Sequence, residues 1–189
     1  MIPGILFAAA SSGCGKTTIT CGALRAWQRK GLKIKAWKCG PDYIDPMFHK
    51  QVLGIPGGNL DSFFLSKEAL KAQYQQKNVG FDLAVMEGVM GLYDGLGGIR
   101  KEGSAYDLAT VTDTPVILVI DAHGMGRSIL PLIAGFLAYD TNHLIKGIIL
   151  NRTSGAFFET IRPEIEKSFP AAVLGYFPNQ KDILLESRH

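Results

Sequence analysis

Short apolar runs alternate along the chain with stretches of helical period. Ile5–Ala10, Lys33–Lys38, Leu83–Glu87, Pro115–Asp121, Ile145–Asn151 and Val173–Phe177 read as strands. The segments near 17–30, 66–77, 104–112, 128–139 and 156–168 carry helical spacing. Strand and helix in regular turn predict an α/β fold, a mostly parallel sheet with helices on both faces. Pro131 starts or kinks its helix, and Pro170 stops the helix before it. Two regions break the rhythm: Cys39–Asp61, rich in Gly, Pro and Asp, and Gly88–Gly103, with six glycines. Both follow strands at their C-terminal ends, where open α/β sheets bind ligands, so these irregular loops are candidate functional segments.

Composition narrows the class. At 189 residues, 47% hydrophobic and 20% charged, the chain suits one globular domain. No apolar stretch approaches the roughly 20 residues of a membrane-spanning helix, and Met1-Ile2-Pro3 leads into a strand without a basic leader. A cytoplasmic protein without a membrane partner is the expectation. Cys14, Cys21 and Cys39 show no metal-ligand spacing and are expected as buried thiols. A net charge of +3 without a basic run offers nothing for nucleic acid.

The strongest chemical signal is "SSGCGKTT", residues 11–18, at the turn between the first strand and the first helix. Such a loop wraps polyphosphate in backbone N–H groups, while a Lys neutralises charge and a Ser/Thr hydroxyl ligates Mg2+. Gly13 and Gly15 supply backbone access, Lys16 the charge and Thr17 the hydroxyl. Position 10, where the G-x-x-x-x-G-K-[ST] pattern has its first glycine, is Ala. Cys14 lines the loop, because "SGCGK" lacks the spacing of a nucleophile elbow.

Two acidic segments accompany this loop. "LAVMEGVMGLYDG" ends an apolar strand on Glu87, placed either to hold Mg2+ or simply to end the strand at the surface, with Asp94 further along. "KCGPDYIDPMFH" brings Lys38, Asp42, Asp45 and His49 together after the second strand. Its two acids either converge on a cation or sit solvated in proline turns. His49 and His123 belong to no His-pair motif and read as ordinary polar loop residues. Aromatic core packing is the simplest reading of Phe48, Phe63, Phe64 and Tyr93, with packing of a flat macrocycle as the alternative.

In this order, "SSGCGKTT", "KCGPDYIDPMFH", "NLDSFF", "VMEGVMGLYDG", "PVILVID" and "GIILNR" closely resemble the N-terminal ATPase domain of the cobyrinic acid a,c-diamide synthases. That domain is related to dethiobiotin synthetase within the P-loop NTPase fold. The resemblance covers nearly the whole chain, and the family's loop opens with Gly where this chain has Ala9. It implies an ATP-dependent carbon–nitrogen ligase with ATP and Mg2+ as cofactors. Ser12, Gly13, Cys14, Gly15, Lys16, Thr17 and Thr18 would bind nucleotide, with Asn151 at the adenine and Arg152 beside it. Thr17, Asp45 and Glu87 would place Mg2+, and Asp42, Tyr43 and Asp94 would face the substrate. The implied partners are a corrinoid polycarboxylate, ammonia from a glutamine amidotransferase domain that family members carry beyond "LESRH", and a second copy of the chain. On that basis residues 1–189 form the synthetase half only, inactive with glutamine. Another tetrapyrrole such as nickel-sirohydrochlorin is an alternative substrate, and a partitioning-type ATPase switch an alternative class, although its signature second Lys is missing from residues 9–12.

Overall fold

A computed structural model describes residues 2–179; the expectation drawn from residues 185–189 lies outside them. Seven strands form one parallel sheet: β1 Gly4–Ala9, β2 Ile34–Cys39, β3 Gly57–Leu60, β4 Leu83–Glu87, β5 Val116–Asp121, β6 Ile145–Asn151 and β7 Ala172–Tyr176. Their order is β3-β2-β4-β1-β5-β6-β7. From β1 the chain crosses to β2 on one side, and from β4 it crosses over β1 to β5 on the other. That divergence opens a crevice beyond the carboxyl end of β1.

Alternation along β1 shows how the sheet is held. Phe7 and Ala9 pack with Ile34, Val85 and Val119 against Ile19 and Leu24 of α1 (Lys16–Arg29). Leu6 and Ala8 face the larger cluster, built with α3 (Lys67–Lys77), α4 (Ala105–Thr112), α5 (Ile129–Tyr139) and α6 (Gly155–Ser168). Burying each leucine-sized side chain contributes roughly 1.5–3 kcal/mol. Ser66, Ser104 and Ser154 cap α3, α4 and α6 by accepting from Ala69, Asp107 and Phe157 N–H groups. Pro131 falls in the first turn of α5, where a missing N–H removes no helical bond, and α6 ends at Ser168, ahead of Pro170. Among the described residues no helix is long and apolar enough to cross a membrane.

The segment Cys39–Asp61 is more ordered than its composition predicts. It contains α2, Ile44–Gln51, and the edge strand β3. Asp42 Oδ1 accepts from the Ile44 and Asp45 N–H groups, at 2.9 and 3.4 Å, and starts the helix; Pro46 lies in its first turn. In β3 the two glycines let the strand lie close to β2: a Cβ at Gly57 would stand 3.2 Å from the Ala36 carbonyl oxygen, and one at Gly58 3.2 Å from the Trp37 ring.

Candidate functional site

The residues after β1 turn through Gly13 and Gly15, with φ of 76° and 87°. Those angles favour glycine, and Gly15 delivers the chain into α1 as its N-cap. The first amides of α1 therefore point at the loop, a ready site for anionic phosphate. Ser12, Gly13 and Thr18 are exposed around it and Cys14 is buried beneath. Ser11 Oγ lies 3.3 Å from Cys14 Sγ. The lysine that follows is tethered: Lys16 Nζ donates to the Ser11 carbonyl at 3.0 Å. Burial lowers its pKa and Lys38 adds to the effect, against Cys14, Glu87 and Asp94. At position 10, where the loop lacks its glycine, close approach is supplied from outside. A Cβ at Gly91 would stand 2.6 Å from the Ala10 carbonyl oxygen, so the β4–α4 loop lies directly against this turn.

Beside the loop is a chain of buried polar groups. Thr17 Oγ1 donates to Glu87 Oε1 at 2.5 Å. The same Glu87 oxygen accepts from Lys38 Nζ at 3.0 Å, and Lys38 Nζ is 2.6 Å from Asp45 Oδ2 and 3.8 Å from Asp42 Oδ2. Lys38 and Glu87 are register partners on β2 and β4, so sheet pairing itself brings the charges together. Glu87 is fully buried, not a surface acid, and Lys38 and Asp45 are nearly so. Burial drives the Glu87 carboxyl above its ordinary pKa, opposed by Lys38 and reinforced by Asp45. For Lys38, burial pulls down, but Glu87 and Asp45 outweigh it and hold the ammonium charged. His49, expected in a loop, is a buried residue of α2 with Nε2 3.6 Å from Glu87 Oε2.

The remaining candidates surround this centre. Asp94 Oδ2 accepts from Gly91 N–H at 2.8 Å, bracing the β4–α4 loop within the electrostatic reach of Lys16. Asn151, at the tip of β6, donates to the Cys14 carbonyl at 2.9 Å and so supports the phosphate loop from below. Its neighbour Arg152 makes a two-pronged pair with Asp121 across the tips of β5 and β6. Tyr43 is exposed on the lip formed by α2. Phe63 and Phe64, expected in the core, are exposed as an edge-to-face pair 5.0 Å apart, whereas Tyr93 stacks on Phe136 and packs among Tyr106 and Tyr139. Lys38 carried no role in the sequence reading; the signal available was its position four residues before Asp42, at a strand end leading into an acidic loop. None of the three cysteines forms a disulfide, and Cys14 and Cys39 are buried while Cys21 is half-buried.

Among the described residues no three His, Cys, Asp or Glu side chains are arranged to hold a metal by themselves. Mg2+ does not require that: it binds through one or two protein oxygens, phosphate and water. Glu87 Oε2 is buried without a hydrogen-bond donor, and the Thr17 hydroxyl sits on the same carboxylate. This donor set fits a phosphate-bound Mg2+.

Residues 5–189 match the family described as the CobQ/CobB/MinD/ParA nucleotide binding domain. The chain is 41% identical over its whole length to the cobyrinate a,c-diamide synthase of Thermoplasma volcanium, and 42% identical over 98% of its length to that of Listeria monocytogenes serotype 4b. It spans 41% of the length of each. The signal recognition particle receptor FtsY of Elizabethkingia anophelis superposes over 92% of the chain and 57% of its own, at TM-score 0.63 and 15% identity. Chloroplast FtsY of Physcomitrella patens covers the same shares at TM-score 0.64 and 14% identity. At such identities the likeness is one of fold alone.

Proposed function

The chain belongs to the CobQ/CobB/MinD/ParA nucleotide binding domain family, and from that premise we propose that it is the ATP-using half of an amide synthetase. It acts on the a and c side-chain carboxylates of cobyrinic acid in cobalamin biosynthesis. A carboxylate oxygen attacks the γ-phosphorus of ATP; the new O–P bond forms as the bond to ADP breaks. Ammonia then attacks the acyl carbon, phosphate leaves, and the nitrogen gives up a proton to yield the amide. The ammonia comes from a glutamine amidotransferase domain.

The observation that supports this reading is the placement of two lysines about Glu87, Lys38 in direct contact with it and Lys16 within its electrostatic reach. Phosphoryl transfer between two anions needs positive charge on both sides. Lys16 stands on the nucleotide loop, and Lys38, held by Glu87 and Asp45 on the adjoining strand, stands where an acceptor carboxylate would arrive. Thr17, Glu87 and Asp45 would hold Mg2+, which when bound neutralises the phosphate oxygens. Loop amides from Ser12 to Thr18 cradle the phosphates, Asn151 fixes the loop and reaches the base, and Arg152 closes that side. Asp42, Tyr43 and Asp94 line the approach and orient the corrinoid's side chains and the ammonia.

ADP release from Mg2+-ATP with excess ammonia, with and without cobyrinic acid, tests the reading. Stimulation accompanied by amide formation is expected. ATP binding with the same ADP release in both arms would remove cobyrinic acid as the substrate.

A further inference from the structure

A second concavity lies away from the phosphate loop, between the β4–α4 loop and α5. It encloses about 870 Å3, within the range of small-molecule sites. Tyr93, Phe136 and Tyr139 supply aromatic walls and Lys101 stands at the edge. The walls are fixed in place. Tyr93 stacks on Phe136 with ring centroids 5.6 Å apart, meets Tyr139 edge-on at 5.1 Å, and donates its hydroxyl to the Phe136 carbonyl at 2.9 Å. Lys101 Nζ lies 4.8 Å from the Tyr106 ring centroid and 5.8 Å from that of Tyr139, so its charge is held over the aromatic cluster.

A further feature keeps the space open. Gly135 lies inside α5 and lines the cleft, and a Cβ built there would meet nothing within 4 Å. Glycine in a helix interior is unfavourable by about 1 kcal/mol relative to alanine, and neither a turn nor a close backbone approach explains it here. A larger residue would project into the cleft.

We propose that this cleft is a second ligand site, which takes a flat, ring-bearing carboxylate with its ring against Tyr93, Phe136 and Tyr139 and its acid group on Lys101. The aromatic faces select a planar body; the Lys101 cation, flanked by apolar walls, selects an anion. The proposal does not depend on the corrinoid reading. Such a ligand is either the amidation substrate itself or a separate effector, and Tyr93 joins the cleft to Asp94 in either case.

Calorimetric titration with pyrene-1-carboxylate, and with neutral pyrene-1-methanol as its uncharged counterpart, tests the site. The acid is expected to bind one to one and at least five-fold more tightly than the alcohol. Lys101→Ala should erase that preference while leaving the alcohol unchanged. Gly135→Leu should weaken both probes at least ten-fold, and Gly135→Ala should melt no lower than the natural chain. Equal binding of acid and alcohol, or unchanged binding to Lys101→Ala, would overturn the proposal, as would loss of binding in Phe63→Ala/Phe64→Ala, which would put the probe on the other aromatic patch. Repeating the titration with Mg2+-ATP and cobyrinic acid separates the sources: displacement by cobyrinic acid identifies the substrate, and undiminished binding beside it identifies an effector.

Discussion

Removing the Lys38 ammonium leaves Glu87 and Asp45 buried together without a counter-ion. In the native arrangement Lys38 Nζ lies 3.0 Å from one carboxylate and 2.6 Å from the other. At an effective dielectric constant near 20, each such contact is worth roughly 5.5–6.5 kcal/mol of attraction. Desolvation of the three groups offsets most of it, and the loss on deleting one partner of a buried cluster is about 3–5 kcal/mol. Lys38→Met keeps most of the apolar stem and removes the ammonium group with its hydrogen bonds. Glu87 already binds its proton more tightly than a free carboxyl, and the variant strengthens that tendency. A carboxyl with a folded pKa above its unfolded value contributes stability that is complete below the unfolded value and disappears as pH rises through the folded one. Relative to the natural chain, the variant should therefore lose about 3–5 kcal/mol in urea unfolding at pH 7.5 and markedly less at pH 5. Glu87→Gln in the same background should recover part of the loss. A deficit below about 1 kcal/mol at pH 7.5, or one that does not change with pH, would refute the assignment of Lys38 as the counter-ion of this site.

Gly15→Ala places a Cβ on the Asn151 amide and asks alanine to adopt φ of 87°; it should cost at least about 1–2 kcal/mol and abolish ATP binding in a fluorescent-nucleotide titration. Asp121, although burial opposes it, is held below its ordinary pKa by Arg152. The stability it contributes is present above the unfolded pKa near 4 and is lost as pH falls through the folded value. Asp121→Asn should accordingly lose about 0.2–1 kcal/mol at pH 7 and almost nothing at pH 2, in urea melts at the two pH values. Burial pushes the Cys39 thiol up to about 12, so iodoacetamide at pH 8 should leave it unmodified in the native protein, by mass spectrometry, and alkylate it after unfolding.

The phosphate loop was legible because an apolar strand, two glycines and Lys-Thr follow one another within a single local unit. The regular helices were legible from their apolar spacing, while the serines that cap three of them emerged only with the backbone geometry. The segment Cys39–Asp61 was not. Its helix begins on the Asp42 side chain and carries Pro46 in the first turn, features that equally describe a turn, and its strand has two glycines in four residues and no alternation. Glu87 was recognised as a strand-end acid, but Lys38 meets it only through the β2–β4 register, a contact across 49 residues. His49 was missed for the same reason: its burial depends on α2, which propensity did not reveal. Phe63 and Phe64 show the opposite error, since hydrophobicity alone does not tell a core residue from an exposed one.

The most direct measurement follows one oxygen atom. Cobyrinic acid labelled with 18O in its carboxylates, incubated with the chain, Mg2+-ATP and excess ammonium, should yield inorganic phosphate carrying one 18O atom for each amide formed, read by mass spectrometry. That result requires the carboxylate oxygen to have bonded to the γ-phosphorus. Amide formed alongside unlabelled phosphate would contradict the acyl-phosphate route and, with it, the role assigned to the Lys16–Lys38 pair.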